Sequence, residues 1–168
     1  MLGQARCNVE LTHAAVLLLH PLLALAVIAW MVRQHRWRQR GMLLKGEERK
    51  QAVAEHERHG DLLYIAIWCI VTLGFAVNIW HRMTTEGASF PAAALPNGAG
   101  GLHAGGGLLG LGLVTVLWRK GRRTKALREA GEKFAMEKQR HGRASDVILI
   151  LAAVHAFLGF LWLMSLLT

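Results

Sequence analysis

Nine histidines occur in a chain of 168 residues, and four of them fall at spacings suited to metal chemistry. His20 lies in LLLHPLLAL, and His103 lies 83 positions later in GGLHAGGGL. His59 stands in ERHG at 57–60 and His141 in QRHG at 139–142, 82 positions on. Neutral imidazole is a good ligand for iron and can be buried without a compensating charge. Two imidazoles at matched depth on facing helices have the geometry to clasp a planar metal cofactor edge-on, one on each side of the iron. Two such pairs would hold two haems, one above the other.

The elements that must position these residues follow from composition. Apolar residues make up 53% of the chain and mean hydropathy is +0.29, yet there are twenty Lys and Arg. Those facts are compatible only if the charges are segregated. Four stretches, 11–32, 61–80, 101–118 and 145–167, contain no Lys or Arg. Each is long enough as a helix to cross a hydrocarbon core of ~30 Å. The expected fold is all-α, an integral membrane four-helix bundle in one domain, built from two repeated helical hairpins.

Basic residues accumulate on the cytoplasmic side of membrane proteins. The connection 33–60 carries eight Lys and Arg and the connection 119–144 carries ten, against only Arg6 and Arg82 elsewhere. Both termini and the 82–102 loop are therefore expected on the periplasmic side of an inner, cytoplasmic or photosynthetic, membrane. Trp30 and Trp118 fall at the inner ends of their helices, and Trp80 and Trp162 toward the outer ends, as an interfacial belt requires; Trp68 does not fit it. Interleaved Glu and Lys/Arg in KGEERKQ and REAGEKFAMEKQR read as helical extensions beyond the membrane. The basic charge points to lipid headgroups and not to nucleic acid. No cleaved signal peptide is expected. Cys7 is expected outside and Cys69 within helix 2, too far apart in depth for a disulfide.

Depth gives the histidines their meaning. At ~1.5 Å per residue, His20 lies ~20 Å and His103 ~24 Å from the inner edge, whereas His59 and His141 lie within ~3 Å of it. An ionisable residue inside a membrane helix marks a functional site by default. Gly106, Gly107 and Gly110 follow His103 at +3, +4 and +7, a bare stripe that suits either a porphyrin face or a close helix contact. Arg58, Arg140 and Arg143 flank the inner histidines and suit haem carboxylates, or simply follow the positive-inside bias; at the outer face Arg82 is the one cation beside neutral polar groups. His13 is a lesser candidate at the outer surface. His35, His56 and His81 are expected in solvated or interfacial positions.

Several short motifs stand in a fixed order: HP in helix 1, RH before helix 2, a histidine followed by small residues and GL in helix 3, and RH before helix 4. A late Gly159-Phe160-Leu161-Trp162 follows, one residue longer than G-x-W. In that order the chain resembles a four-helix membrane family common in photosynthetic bacteria and plastids, itself similar to the cytochrome b561 group of two-haem membrane cytochromes. The resemblance implies His20 and His103 as one axial pair and His59 and His141 as the other. His155, 14 residues after His141, is an alternative to His103 or His20 in the outer site.

The function expected is that of a transmembrane diheme b-type cytochrome, an electron-transfer oxidoreductase with two haem b. It would exchange electrons with a quinone or a redox partner protein, alone or as a subunit of a larger membrane complex. The rivals are a structural subunit of a photosynthetic or respiratory assembly, and a metal transporter relaying ions over His13, His20, His103 and His155.

Overall fold

The computed structural model describes residues 2–41, 43–95 and 98–167. Its elements are α1 (Leu2–Arg40), α2 (Gly46–Thr85), a short α3 (Phe90–Ala94), α4 (Gly98–Glu129) and α5 (Ala135–Leu167), with no strand among the described residues. The four long helices each contain a stretch long and apolar enough to cross a membrane. The chain is thus an all-α, integral membrane four-helix bundle, as its apolar runs require.

The helices run well past those runs. At ~1.5 Å per residue, the 40 residues of α2 reach about twice the ~30 Å of a hydrocarbon core. The connections expected over 33–60 and 119–144 are therefore mostly helix, and the described residues outside helix there are 41, 43–45 and 130–134. Ion pairs along single helices support these extensions: Lys50 with Glu47 at 2.6 Å, Arg140 with the buried Glu137 at 3.1 Å, and Lys125 with Glu129 at 3.9 Å. The end of α4 is set by Gly131, whose φ of 72° lets the Glu132 N–H return to the Leu127 carbonyl at 2.9 Å.

At the opposite end, α3 is tied down on α2. Arg82 donates to the carbonyls of Ala92 (2.7 Å) and Leu95 (3.0 Å), and the Asn78 amide donates to that of Ala93 (3.3 Å). The side chains of Arg6 and Cys7 lie outside the described residues. Cys69 is a free thiol.

Helix α1 packs on α2 and α5, and α4 packs on the same two, so α1 faces α4 and α2 faces α5 across the diagonals of the bundle. Large apolar side chains point outward, among them Ile65 (58% exposed) and Ile150 (66% exposed). In water such a surface would be prohibitive, and against lipid it is the expected one. The buried apolar residues are few, Leu17, Ala93, Leu111, Val114 and Ile148, and no large side chain among the described residues is completely enclosed.

Candidate functional site

His20 on α1 and His103 on α4 meet across one diagonal. Their ring centres are 6.1 Å apart, with planes at 78°. Metal–imidazole bonds of about 2 Å place the centres of two trans imidazoles roughly 6 Å apart. The rings are seated against glycines of the neighbouring helices. A Cβ at Gly74 would stand 2.8 Å from His20 Cε1, and one at Gly159 would stand 2.6 Å from His103 Cε1. Any side chain there would push the imidazole out of place. The Nδ1 atoms of both rings are buried without a hydrogen-bond partner. In metal sites that nitrogen is the one that donates to a nearby carbonyl while the other ligates.

His155 of α5 joins this layer. It stacks on His103 with ring centres 4.2 Å apart and planes at 8°, too close for an iron between them. A Cβ at Gly106 would come within 3.0 Å of His155 Nδ1, and one at Gly107 within 3.5 Å of its Cε1, whereas Gly110 meets nothing within 4 Å. Two members of the glycine stripe therefore accommodate an imidazole from α5. Trp162 closes the layer, its ring 5.9 Å from that of His103.

Across the second diagonal His141 of α5 meets a different histidine from the one its motif suggested. His56 of α2 lies opposite it, ring centres 6.4 Å apart and planes at 86°. His59 instead turns to α1 and meets the Trp30 ring at 5.9 Å. Helical geometry accounts for the exchange: residues three apart project about 60° from each other, so only one of the two can point along the diagonal. His56, expected at an interface, is half-buried and stacks on Trp37 at 4.4 Å. The His141 Nδ1 is 3.2 Å from the Leu117 carbonyl, and its Cε1 lies 3.2 Å from where a Gly121 Cβ would be. Counted along α5, the 14 residues from His141 to His155 separate the two layers by about 21 Å.

These contacts repeat. Residues 56–61 and 141–146 both read H-x-R-x-x-D, and twelve residues after each Asp LGF begins, at 73–75 and 158–160. The offset is 85, and it equates His56 with His141, Arg58 with Arg143, Asp61 with Asp146 and Gly74 with Gly159. Between α1 and α4 the offset is 83, equating His20 with His103 and His35 with Trp118. The packing follows the same equivalences. Trp118 Nε1 donates to Asp61 Oδ1 at 2.7 Å, and His35 Nε2 lies 3.6 Å from Asp146 Oδ1. His20 rests on Gly74 as His103 rests on Gly159. The two hairpins are thus related by an approximate two-fold axis along the bundle, and each facing histidine pair is a pair of equivalents about it. His155 stands outside the repeat, since its equivalent is Ile70.

Arg58 and Arg143 are exposed at the basic end, and Arg140 pairs with Glu137 at 3.1 Å. Arg82 is engaged with α3 and with Glu86 at 3.1 Å, so it is not a spare cation for the outer layer. His35 shares a hydrogen bond with Ser145 at 3.1 Å. His81, expected in solvent or at an interface, is buried and bonded to His13 at 2.9 Å.

Among the described residues no group of three or more His, Cys, Asp or Glu is arranged to hold a bare metal ion. What the interior offers is two imidazoles at a time. Among the described residues, five of the six buried side-chain nitrogens without a partner belong to His20, His56, His59, His103 and His155, the sixth being Trp37 Nε1. All five of these histidine atoms are Nδ1, which leaves Nε2 of each ring as the nitrogen that could meet a ligand group. No family model, curated protein or solved structure matches the chain.

Proposed function

We propose that the chain is a membrane diheme b-type cytochrome, with His20 and His103 as axial ligands of one haem and His56 and His141 of the other. The observation that supports this most is the placing of two equivalent imidazole pairs across the two diagonals, at 6.1 and 6.4 Å. Both separations would let His20 with His103, and His56 with His141, hold one iron between them. The chemistry of the donors fits as well, since paired neutral imidazoles are the ligands of low-spin haem iron.

Haem b bound there supplies one-electron oxidation and reduction at its iron. The protein's contribution is fixed by its own residues. Gly74 and Gly159 admit the outer imidazoles and set their orientation, and Gly121 with the Leu117 carbonyl does so for His141. Trp37 stacks on His56. Apolar surface on all sides keeps water from the bundle interior. Held by two histidines, such an iron would be closed to oxygen, and the arrangement would favour electron transfer over oxygen chemistry.

Two layers about 21 Å apart along α5 form a relay across the bilayer. In this reading the basic end, with eighteen of the twenty Lys and Arg, is cytoplasmic, and the termini and α3 face the periplasm. The donor and acceptor are a membrane quinone or a docking redox protein.

The deciding experiment is a dithionite-reduced minus oxidised spectrum of the purified protein, with haem counted by pyridine haemochrome. Sharp b-type bands and two haems per chain are expected. Bound divalent metal without haem would favour a transporter, and neither would leave a structural subunit.

A further inference from the structure

Outside the two layers a third imidazole pair lies at the end of the bundle that carries α3. His13 Nε2 of α1 and His81 Nδ1 of α2 are 2.9 Å apart, with rings tilted at 51°. His81 is 8% exposed, and His13 is half-buried against the Trp80 ring at 4.9 Å. The Thr85 hydroxyl lies 3.3 Å from the same Nδ1 of His81. A cleft of about 50 Å³ adjoins His81, lined also by Asn78, Arg82 and Glu86. Neither histidine belongs to the repeated pairs, and electron transfer through them has no use for either.

We propose that His13 and His81 form a binding site for a divalent transition-metal cation of the Cu2+ or Ni2+ type, supplied from the aqueous side at the α3 end. Two imidazoles bound cis at about 2 Å with a right angle at the metal have their nitrogens roughly 2.9 Å apart. The two nitrogens are held at 2.9 Å by a hydrogen bond, and loss of its shared proton would leave both free to bind one cation cis, in the tetragonal coordination that Cu2+ and Ni2+ prefer with nitrogen and oxygen donors. The pair is too close for the trans arrangement of the two inner layers. Helical packing already holds the nitrogens together, so little ordering is needed on binding. Water and the Thr85 hydroxyl are the oxygen donors at hand. The site would clip α1 to α2 at the mouth of the bundle.

The test uses the full chain in detergent, washed with EDTA and freed of it, titrated with CuCl2 and followed by electron paramagnetic resonance. One Cu2+ per chain is expected, with an affinity of about micromolar or tighter and a nitrogen splitting pattern from two imidazoles. His13→Gln and His81→Gln should each weaken binding by about tenfold or more, while His35→Gln leaves it unchanged. A wild-type copper signal without two nitrogen ligands overturns the proposal, whatever the variants do. So does copper that survives in both variants, copper lost only in His103→Gln, or no stoichiometric binding at about 100 µM. None of these readings depends on haem, so the site and the cytochrome assignment stand or fall separately.

Discussion

The His103 imidazole lies directly on the main chain of Gly159, where a Cβ would stand 2.6 Å from Cε1. The equivalent contact of His20 with Gly74, at 2.8 Å, gives the outer layer two seats in which only glycine fits. Gly74→Ala or Gly159→Ala must move a ring or a helix, and overpacking of this kind typically destabilises by about 1–3 kcal/mol. Each variant should lose or spectrally perturb the outer haem while retaining the inner one. Gly110→Ala, which meets open space, should be silent. Haem stoichiometry and the low-spin resonance signal of the three proteins separate these outcomes.

The inner pair is tested by two histidines three residues apart. His56→Ala and His141→Ala should each leave one haem per chain, whereas His59→Ala should keep two. His59 contributes contact with Trp30, so its loss should show in thermal stability instead. Pyridine haemochrome counts on the three variants decide it, and one haem in His59→Ala with two in His56→Ala would restore the pairing that the ERHG and QRHG motifs suggest.

That contrast shows what was legible in the sequence. Lipid demands long uncharged apolar helices, so the four spans could be read directly, and the alternation of Glu with Lys and Arg showed that helix continues beyond them. His20, His103 and His141 stood out because each sits where a polar group is conspicuous. The partner of His141 did not, because RHG occurs twice at an offset of 82 while the packing obeys an offset of 85. The signal that carries the true register was present: H-x-R-x-x-D, with LGF beginning twelve residues after its Asp, in both halves. It is a longer match than RHG but a sparser one. Which way a helix is rotated is decided by its neighbours, and neither motif states that by itself.

Glu57 joins α2 to α4 at the basic end through a two-pronged contact. Arg128 Nη1 donates to its Oε1 at 2.6 Å and Nη2 to its Oε2 at 3.3 Å, with Lys125 at 3.6 Å. Forked pairs of this kind are stronger than single surface ion pairs, though the 35% exposure of Arg128 admits screening by solvent. Glu57→Gln should destabilise by roughly 1 kcal/mol or less, with the loss shrinking as salt is raised. Unfolding in detergent at low and high ionic strength measures both, and because Glu57 is no ligand, the haem count should remain two.

The last prediction concerns His155, which stacks on His103 and invites the inference that either ring serves. The repeat argues for His103. It is the equivalent of His20, it rests on Gly159 as His20 rests on Gly74, and the two face one another across the diagonal at 6.1 Å. His155 is the equivalent of Ile70, a position that supplies packing in the other half. It reaches the outer layer from α5, a neighbour of α1 and not its diagonal partner. His103→Leu should therefore remove the outer haem, and His155→Leu should leave two haems per chain with an altered outer potential, because a polarisable ring stacked on an axial ligand is replaced by an alkyl group. Spectroelectrochemical titration of both variants resolves the two haems separately. Loss of the outer haem in His155→Leu, with His103→Leu intact, would transfer the ligand role to α5 and break the two-fold equivalence on which the assignment rests.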